Sequence, residues 1–179
     1  MVEFEQAQVR LHELSSRVSD ERWSARPDPV RWSVAECIAH LNLTSEKYLP
    51  LLDAAIEQGR ELPSLTRIPK RYRRDAVGWL LWRTMGPPVR FRTRTIAEFI
   101  PSGEFPRQQL LNDFDQLQAQ QIHRLRESDG LPLDQVRVTS PFNPKISYNL
   151  YSCFSILSRH QHRHLWQAGR VWGKETALS

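Results

Sequence analysis

Three histidines fall within five positions near the C-terminus, in the stretch SRHQHRHLWQ, as His160, His162 and His164. A helix turns by about 100° per residue, so His160 and His164 lie one turn apart on the same face, and His162 points away from both. Two imidazoles at positions i and i+4 can bind a divalent metal ion, and a third ligand would complete an open site. The spacing makes His160 and His164 candidate metal ligands and predicts that His162 and Arg159 face solvent.

The best candidate for the third ligand is His40, in the stretch WSVAECIAHLNLTSEKY. It falls on the flank of the apolar stripe of its helix, from which it can face a neighbouring helix. His12 and His123 fall away from the stripes of their helices and are predicted to be surface residues. Histidine pairs at this spacing also arise by chance, so spacing alone leaves both a metal site and ordinary histidines open.

The two cysteines, Cys37 and Cys153, are too few for a disulfide framework. Both fall on the histidine-bearing flanks of their helices. Buried packing as small apolar residues is the favoured interpretation, with a soft fourth metal ligand or a redox partner as the alternative.

Apolar residues recur at three- and four-residue steps in four long segments, which predicts four long helices. The second begins with a capping box, in which the side chain of Ser33 accepts from the Glu36 amide and Glu36 accepts in return. Pro50 predicts a kink or a break in this helix near Tyr48 and Leu49, and Gly59 is a candidate C-cap. Three of the long helices are expected at about 2–18, 34–59 and 147–171, and a short helix at about 76–84. The remaining long helix, the third, should follow Pro106 and end before Gly130.

Residues 60–105 contain several prolines and form a long connection between the second and third long helices, where VRFRTRT could be briefly extended. No alternating strand pattern competes with the helical ones elsewhere. The expected fold is all-α, a four-helix bundle with a long crossover between the second and third long helices. At 179 residues, the chain (1–179) fits one domain.

The chain carries a net charge of +5, and much of the positive charge falls between Arg67 and Arg94, where nine basic residues accompany one acid, Asp75. A solvated connector explains this segment 67–94 best; a nucleic-acid or anionic-membrane footprint is the alternative. No nucleic-acid recognition motif occurs, so a nucleic-acid partner is not expected. Because no stretch reaches about 20 apolar residues and the N-terminus lacks an apolar signal, we expect no membrane span and a cytoplasmic location.

Two motifs in order, RWSVAECIAHL and RHQHRHLWQ, resemble those of the DinB-like superfamily of bacterial four-helix bundles. The first matches Trp-Ser-x-x-Glu-x-x-x-His-Leu at the start of the second helix, and the second matches His-x-x-x-His-x-x-Gln near the end of the last. The resemblance spans nearly the whole chain. It implies a divalent ion, often nickel or zinc, held by three histidines, which here are His40, His160 and His164.

The same resemblance implies a thiol S-transferase that uses a low-molecular-weight thiol such as bacillithiol, mycothiol or glutathione on a small electrophile, in detoxification or stress response. Gln167 would line the pocket or be a plain surface residue, and the family often forms homodimers. Two alternatives remain: a metal-dependent hydrolase, for which Glu36 is the nearest candidate base, and a non-enzymatic stress-response binding module that uses the basic 67–94 segment.

Overall fold

The computed structural model describes residues 1–63, 71–88 and 95–171. These form a helical bundle with one small hairpin, which confirms the expected all-α fold. The elements in chain order are α1 (Val2–Arg17), α2 (Asp20–Ser24), α3 (Val34–Glu61), α4 (Ala76–Met85), a 3-10 turn (Ala97–Phe99), α5 (Arg107–Glu127), β1 (Arg137–Thr139), β2 (Ser147–Asn149) and α6 (Leu150–Gly169).

The four long helices pack as the apolar stripes predict. α3 packs against both α5 and α6, and α1 packs against the same two helices. Each helix buries one face because its apolar residues recur with the helical period. One cluster of buried apolar side chains draws on all four of these helices and includes Leu11, Leu14, Ile38, Leu41, Leu110, Phe114 and Leu165.

The start of α3 follows the sequence prediction, but its middle and end do not. The Ser33 side chain accepts from the Glu36 N–H at 3.1 Å, and Glu36 accepts from the Ser33 N–H at 2.8 Å. The helix continues through Pro50 without a break and past Gly59 to Glu61. Gly59 is not a cap: a Cβ there would lie 3.3 Å from Val136, so glycine permits close packing against the chain that follows α5.

The hairpin was not anticipated. β1 and β2 pair antiparallel, with Val138 opposite Tyr148. The predicted start of the last helix at Ser147 is therefore wrong, because residues 147–149 belong to β2 and Asn149 caps α6 by accepting from the Ser152 N–H at 2.8 Å. Strands of three residues are too short to show a period of two in the sequence.

α4 is the predicted short helix of the crossover, and it packs against α6. Its N-cap, Asp75, accepts from the Gly78 N–H at 2.9 Å and from the Ser152 hydroxyl at 3.1 Å. Most of the VRFRTRT stretch, at 89–94, and the basic residues at 67–70 lie outside the described residues. Among the helices that the structure describes, none has the length and apolar character needed to span a bilayer.

Candidate metal centre

His40 of α3 and His160 and His164 of α6 come together between the two helices. All three are buried, with exposed fractions of 1%, 8% and 7%. One nitrogen from each ring lies within 4.8 Å of the others, and ring centroids are 4.5 Å apart for both His40–His164 and His160–His164. Within the described part of the chain, these are the residues whose side chains form a group able to hold a metal ion.

One pair of ring nitrogens has the separation that a tetrahedral metal site requires. His40 Nε2 lies 3.3 Å from His160 Nε2. Two imidazole nitrogens at about 2.0–2.1 Å from one tetrahedral ion would be about 3.3–3.4 Å apart. Without an ion, one of these nitrogens can donate a hydrogen bond to the other, so the spacing suits both states.

His40 is held in one orientation by the backbone of the crossover. Its Nδ1 lies 2.8 Å from the carbonyl oxygen of Phe99, which can only accept, so Nδ1 carries the proton and Nε2 keeps its lone pair. Histidines that bind metal ions commonly donate their other N–H to such an acceptor. The 3-10 turn over 97–99 places this carbonyl, and Phe99 itself is fully buried.

His164 supplies a further sign that a ligand fits here. Its Nδ1 is buried and has no hydrogen-bond partner among the groups of the described chain. A buried polar atom left unsatisfied costs about 1–3 kcal/mol. A metal ion or a water molecule among the three rings is the kind of partner that would remove this cost.

Burial also keeps the three imidazoles neutral. It lowers the pKa of His40, although the hydrogen bond to the Phe99 carbonyl opposes the shift. Burial lowers the pKa of both His160 and His164 well below 6.5, and neighbouring positive charge, including Arg163, acts in the same direction. Neutral imidazole is the form that binds metal ions, so the site is ready for a cation near pH 7.

Aromatic rings surround the cluster. Trp32 lies 4.9 Å from His40 and 6.0 Å from His164, centroid to centroid. Phe142 lies 6.1 Å from His160 and stacks on Phe99 at 3.9 Å. Phe99 and Phe142 lie in the connections before α5 and before α6, and nothing in the sequence pattern pointed to them. An apolar wall excludes water and strengthens electrostatic interactions inside the site.

Glu36, the candidate base for hydrolysis, is already engaged. Its carboxylate accepts from the Ser33 N–H and from two nitrogens of Arg26, with Arg26 Nε 2.9 Å from Oε2. Burial tends to raise the pKa of Glu36, but the hydrogen bonds and charge of Arg26, together with Ser33, outweigh it and hold the pKa below 4.5. Glu36 is therefore an ionised structural group with its lone pairs in use.

The prediction that His162 and Arg159 face solvent is wrong. His162 is half-buried, and its Nε2 lies 3.2 Å from the Glu3 carboxylate, because α1 covers this face of α6. Arg159 is also half-buried, with its guanidinium 4.6 Å from the Trp82 ring, because α4 packs against α6 there. The periodicity of α6 alone cannot predict the burial of these two side chains, because it depends on which neighbouring helices cover them.

The other cysteine and histidine candidates do not belong to the three-histidine group, within the described residues. Cys37 and Cys153 are fully buried, which raises the pKa of both thiols, and neither belongs to that group. His12 and His123 are exposed, as predicted, beside Asp115 and Glu127. Gln167 is half-buried, and its role as a pocket residue stays a prediction.

Comparison with known proteins identifies the family. No curated protein and no solved structure matches this chain. The family model of the DinB superfamily matches residues 3–168, which include nearly all of α1, the whole crossover and all three clustered histidines. The chain therefore belongs to the DinB superfamily.

Proposed function

We propose that this protein is a divalent-metal-dependent thiol S-transferase that acts on small electrophiles, with His40, His160 and His164 as the metal ligands. The observation that carries the proposal is the convergence of three buried, neutral imidazoles with no carboxylate in the group, within the described residues. Three neutral ligands leave the full charge of the cation available to an anionic ligand, and the remaining coordination positions stay open.

A divalent ion bound here would act as a Lewis acid and lower the pKa of a small thiol, so that its sulfur becomes a competent nucleophile near neutral pH. In the proposed reaction, the thiol sulfur forms a bond to an electrophilic carbon of the substrate. The bond from that carbon to its leaving group breaks, and the leaving group departs with the electron pair. The thiol proton passes to water.

The protein's own residues orient the ligands and shield the site. The Phe99 carbonyl fixes the ring of His40 with Nε2 towards His160. Trp32 and Phe142 flank the rings and form an apolar wall against which the hydrocarbon part of an electrophile can pack. A small thiol such as bacillithiol, mycothiol or glutathione is the expected cosubstrate, and we expect Gln167, one turn beyond His164, to line the pocket.

Thiol transfer is favoured over base-assisted hydrolysis because the latter needs a free general base beside the attacking water. Glu36, the carboxylate one turn before His40, is committed to Ser33 and Arg26. A bound metal ion would lower the pKa of water as well, but the pKa of a free thiol, about 8.5, is already far below that of water, so the thiol is activated more readily. Imidazole donors suit nickel and zinc, which are the metals we expect. We place the activity in detoxification or stress response. The expected assembly is a homodimer.

The test combines metal analysis with turnover. Protein purified without a histidine tag should contain a stoichiometric transition metal, and His160→Ala should lose it. Metal-loaded protein should consume a model electrophile only when a thiol is added. His123→Ala, which changes an exposed histidine, is the matched control and should keep both properties. Turnover without thiol would refute the transferase in favour of a hydrolase, and absence of metal would refute the site.

A further inference from the structure

The crossover carries a cavity that the proposed metal centre does not use. Its volume is about 400 Å³, and none of the three clustered histidines lines it. Its walls come from the chain just before α4, from α4 itself and from the first turn of α6. The lining residues are Arg71, Tyr72, Arg73, Arg74, Trp79 and Tyr151.

The wall of this cavity is anchored to the rest of the fold. The Tyr72 hydroxyl donates to the Leu131 carbonyl at 2.6 Å, and the side-chain amide of Asn149 donates to the Arg73 carbonyl at 2.9 Å. The Arg74 guanidinium lies 4.3 Å above the Trp82 ring. These contacts hold the backbone of the cavity wall and the Arg74 guanidinium, one of three guanidinium groups in the cavity. The cavity is therefore preorganised.

The charge of the cavity favours an anion. Three arginines line it, and Arg71 and Arg73 have exposed side chains. The nearby Asp75 is paired with Arg137 at 2.5 Å, and burial, with the charges of Asp129 and Asp134, raises the pKa of Tyr72. Adjacent guanidinium groups bind phosphate oxygens through two parallel hydrogen bonds each, which makes a phosphate group the best match.

An exposed apolar surface begins at the rim of the same cavity. On the outer face of α4, Val77, Trp79 and Leu80 are 41%, 53% and 56% exposed, and Trp79 also lines the cavity. Arg83 lies on this outer face too. Exposed apolar side chains next to basic ones are typical of surfaces that lie in a membrane interface, where tryptophan is favoured.

Only one of the candidate partners uses both features. A free anion or a nucleic acid would engage the arginines but would leave Trp79 and Leu80 in water. A second copy of the chain would bring like charges face to face. An anionic bilayer offers phosphate groups to the arginines and an apolar layer to the α4 face.

We propose that this cavity and the outer face of α4 form one docking site for an anionic phospholipid bilayer. A lipid phosphate group binds between Arg71 and Arg73, and Trp79 and Leu80 enter the interfacial layer. The helix lies on the surface and does not cross it. This inference does not depend on the metal or on the transferase activity.

The test is co-sedimentation of the full-length protein with two kinds of vesicle, one of phosphatidylcholine alone and one in which part is replaced by phosphatidylglycerol. Binding should require the anionic lipid and weaken with salt. Arg71→Ala/Arg73→Ala should weaken the partition about 30-fold, which corresponds to about 2 kcal/mol at about 1 kcal/mol per arginine. Trp79→Ser/Leu80→Ser has the same charge as the parent and should also bind the anionic vesicles more weakly than the parent does.

Two matched controls separate the site from general effects. Arg17→Ala/Arg126→Ala removes the same charge from exposed positions elsewhere, and Val9→Ser/Val30→Ser removes exposed apolar side chains elsewhere. Both should bind vesicles like the parent, and far-ultraviolet circular dichroism should show every variant folded. Equal loss in a control and its matched site variant would overturn the proposal.

Three other results would also overturn it. No binding to anionic vesicles would refute the bilayer. Binding of glycerol phosphate without binding of vesicles would assign the cavity to a soluble anion. Binding of duplex DNA that depends on Arg71 and Arg73 but not on Trp79 and Leu80, with no vesicle binding, would assign it to nucleic acid.

Discussion

His40 and Glu36 lie one turn apart on α3, and burial has opposite outcomes for their charge. Burial lowers the pKa of His40 and keeps it uncharged, because the hydrogen bond to the neutral Phe99 carbonyl only partly opposes this effect. Glu36 finds the Arg26 guanidinium and the Ser33 N–H, which outweigh the cost of burial and keep it ionised. At the residue scale, burial decides the charge of His40, whereas the partners of Glu36 decide the charge of its carboxylate.

The ionised Glu36 leads to a prediction about acid stability. Its pKa is lower in the folded protein than the ordinary value of 4.5, so its contribution is fully present above that value and is lost as the pH falls through the lowered folded pKa. Glu36→Gln should therefore lower the free energy of unfolding at pH 7 by about 1 kcal/mol, through the weakened capping box and ion pair. Urea unfolding from pH 7 down to pH values below 4.5 measures this.

The gap between parent and Glu36→Gln should close at the acid end of that series. The exposed Glu61 provides the control, and Glu61→Gln should match the parent throughout. A gap that stays constant below pH 4.5 would mean that the charge of Glu36 contributes nothing to stability.

Two glycines inside helices show how tightly the elements approach one another. A Cβ on Gly78 of α4 would lie 2.1 Å from the Ser152 Oγ of α6 and 2.6 Å from Asp75. A Cβ on Gly59 of α3 would lie 3.3 Å from Val136, a distance that a small shift of one side chain can relieve. Gly78 therefore leaves no room for a larger residue, whereas Gly59 leaves almost enough room for a methyl group.

Alanine substitutions at Gly78 and Gly59 should therefore change the free energy of unfolding by different amounts. Gly78→Ala should destabilise the fold by about 1–3 kcal/mol, because overpacking must displace α4 from α6. Gly59→Ala should be close to neutral, since its strain is offset by about 1 kcal/mol of helix propensity. Urea unfolding of both variants checks this, and equal effects would contradict the geometry.

The length of each helix or strand decides whether the sequence could predict it. The long helices follow from apolar residues repeating over four or more turns, and the start of α3 follows from one capping box at Ser33. β1 and β2 could not be found because three residues carry no period. The break predicted at Pro50 does not occur, because α3 is exposed there and water can bind the backbone carbonyl that loses its N–H partner to the proline.

The candidate site was predictable in part for a similar reason. His160 and His164 were identifiable from helical spacing, since both belong to one element. The Phe99 carbonyl that orients His40 was not, because it is a backbone atom 59 residues away in a proline-rich connection. The covering of His162 by Glu3 likewise depended on α1, which the local pattern of α6 cannot encode.

At the scale of the whole molecule, the three histidines connect α3 to α6 across the bundle core. A ligand that binds only the folded chain stabilises it in proportion to the logarithm of its concentration. A divalent metal held by His40 from one helix and by His160 and His164 from the other would act as a cross-link that exists only in the folded state. Removing it should leave a folded but weaker bundle, since the apolar core does not depend on it.

The thermal midpoint should report this cross-link. At a free metal concentration of 100 times the Kd, binding adds about 2.7 kcal/mol, which for a chain of this size raises the Tm by about 5–10 °C. His160→Ala should abolish the rise, whereas His162→Ala should retain it, because His162 lies on the same helix but outside the group. Differential scanning calorimetry of stripped and nickel- or zinc-loaded protein measures both. An equal rise in His160→Ala would place the bound metal elsewhere and would refute the three-histidine site.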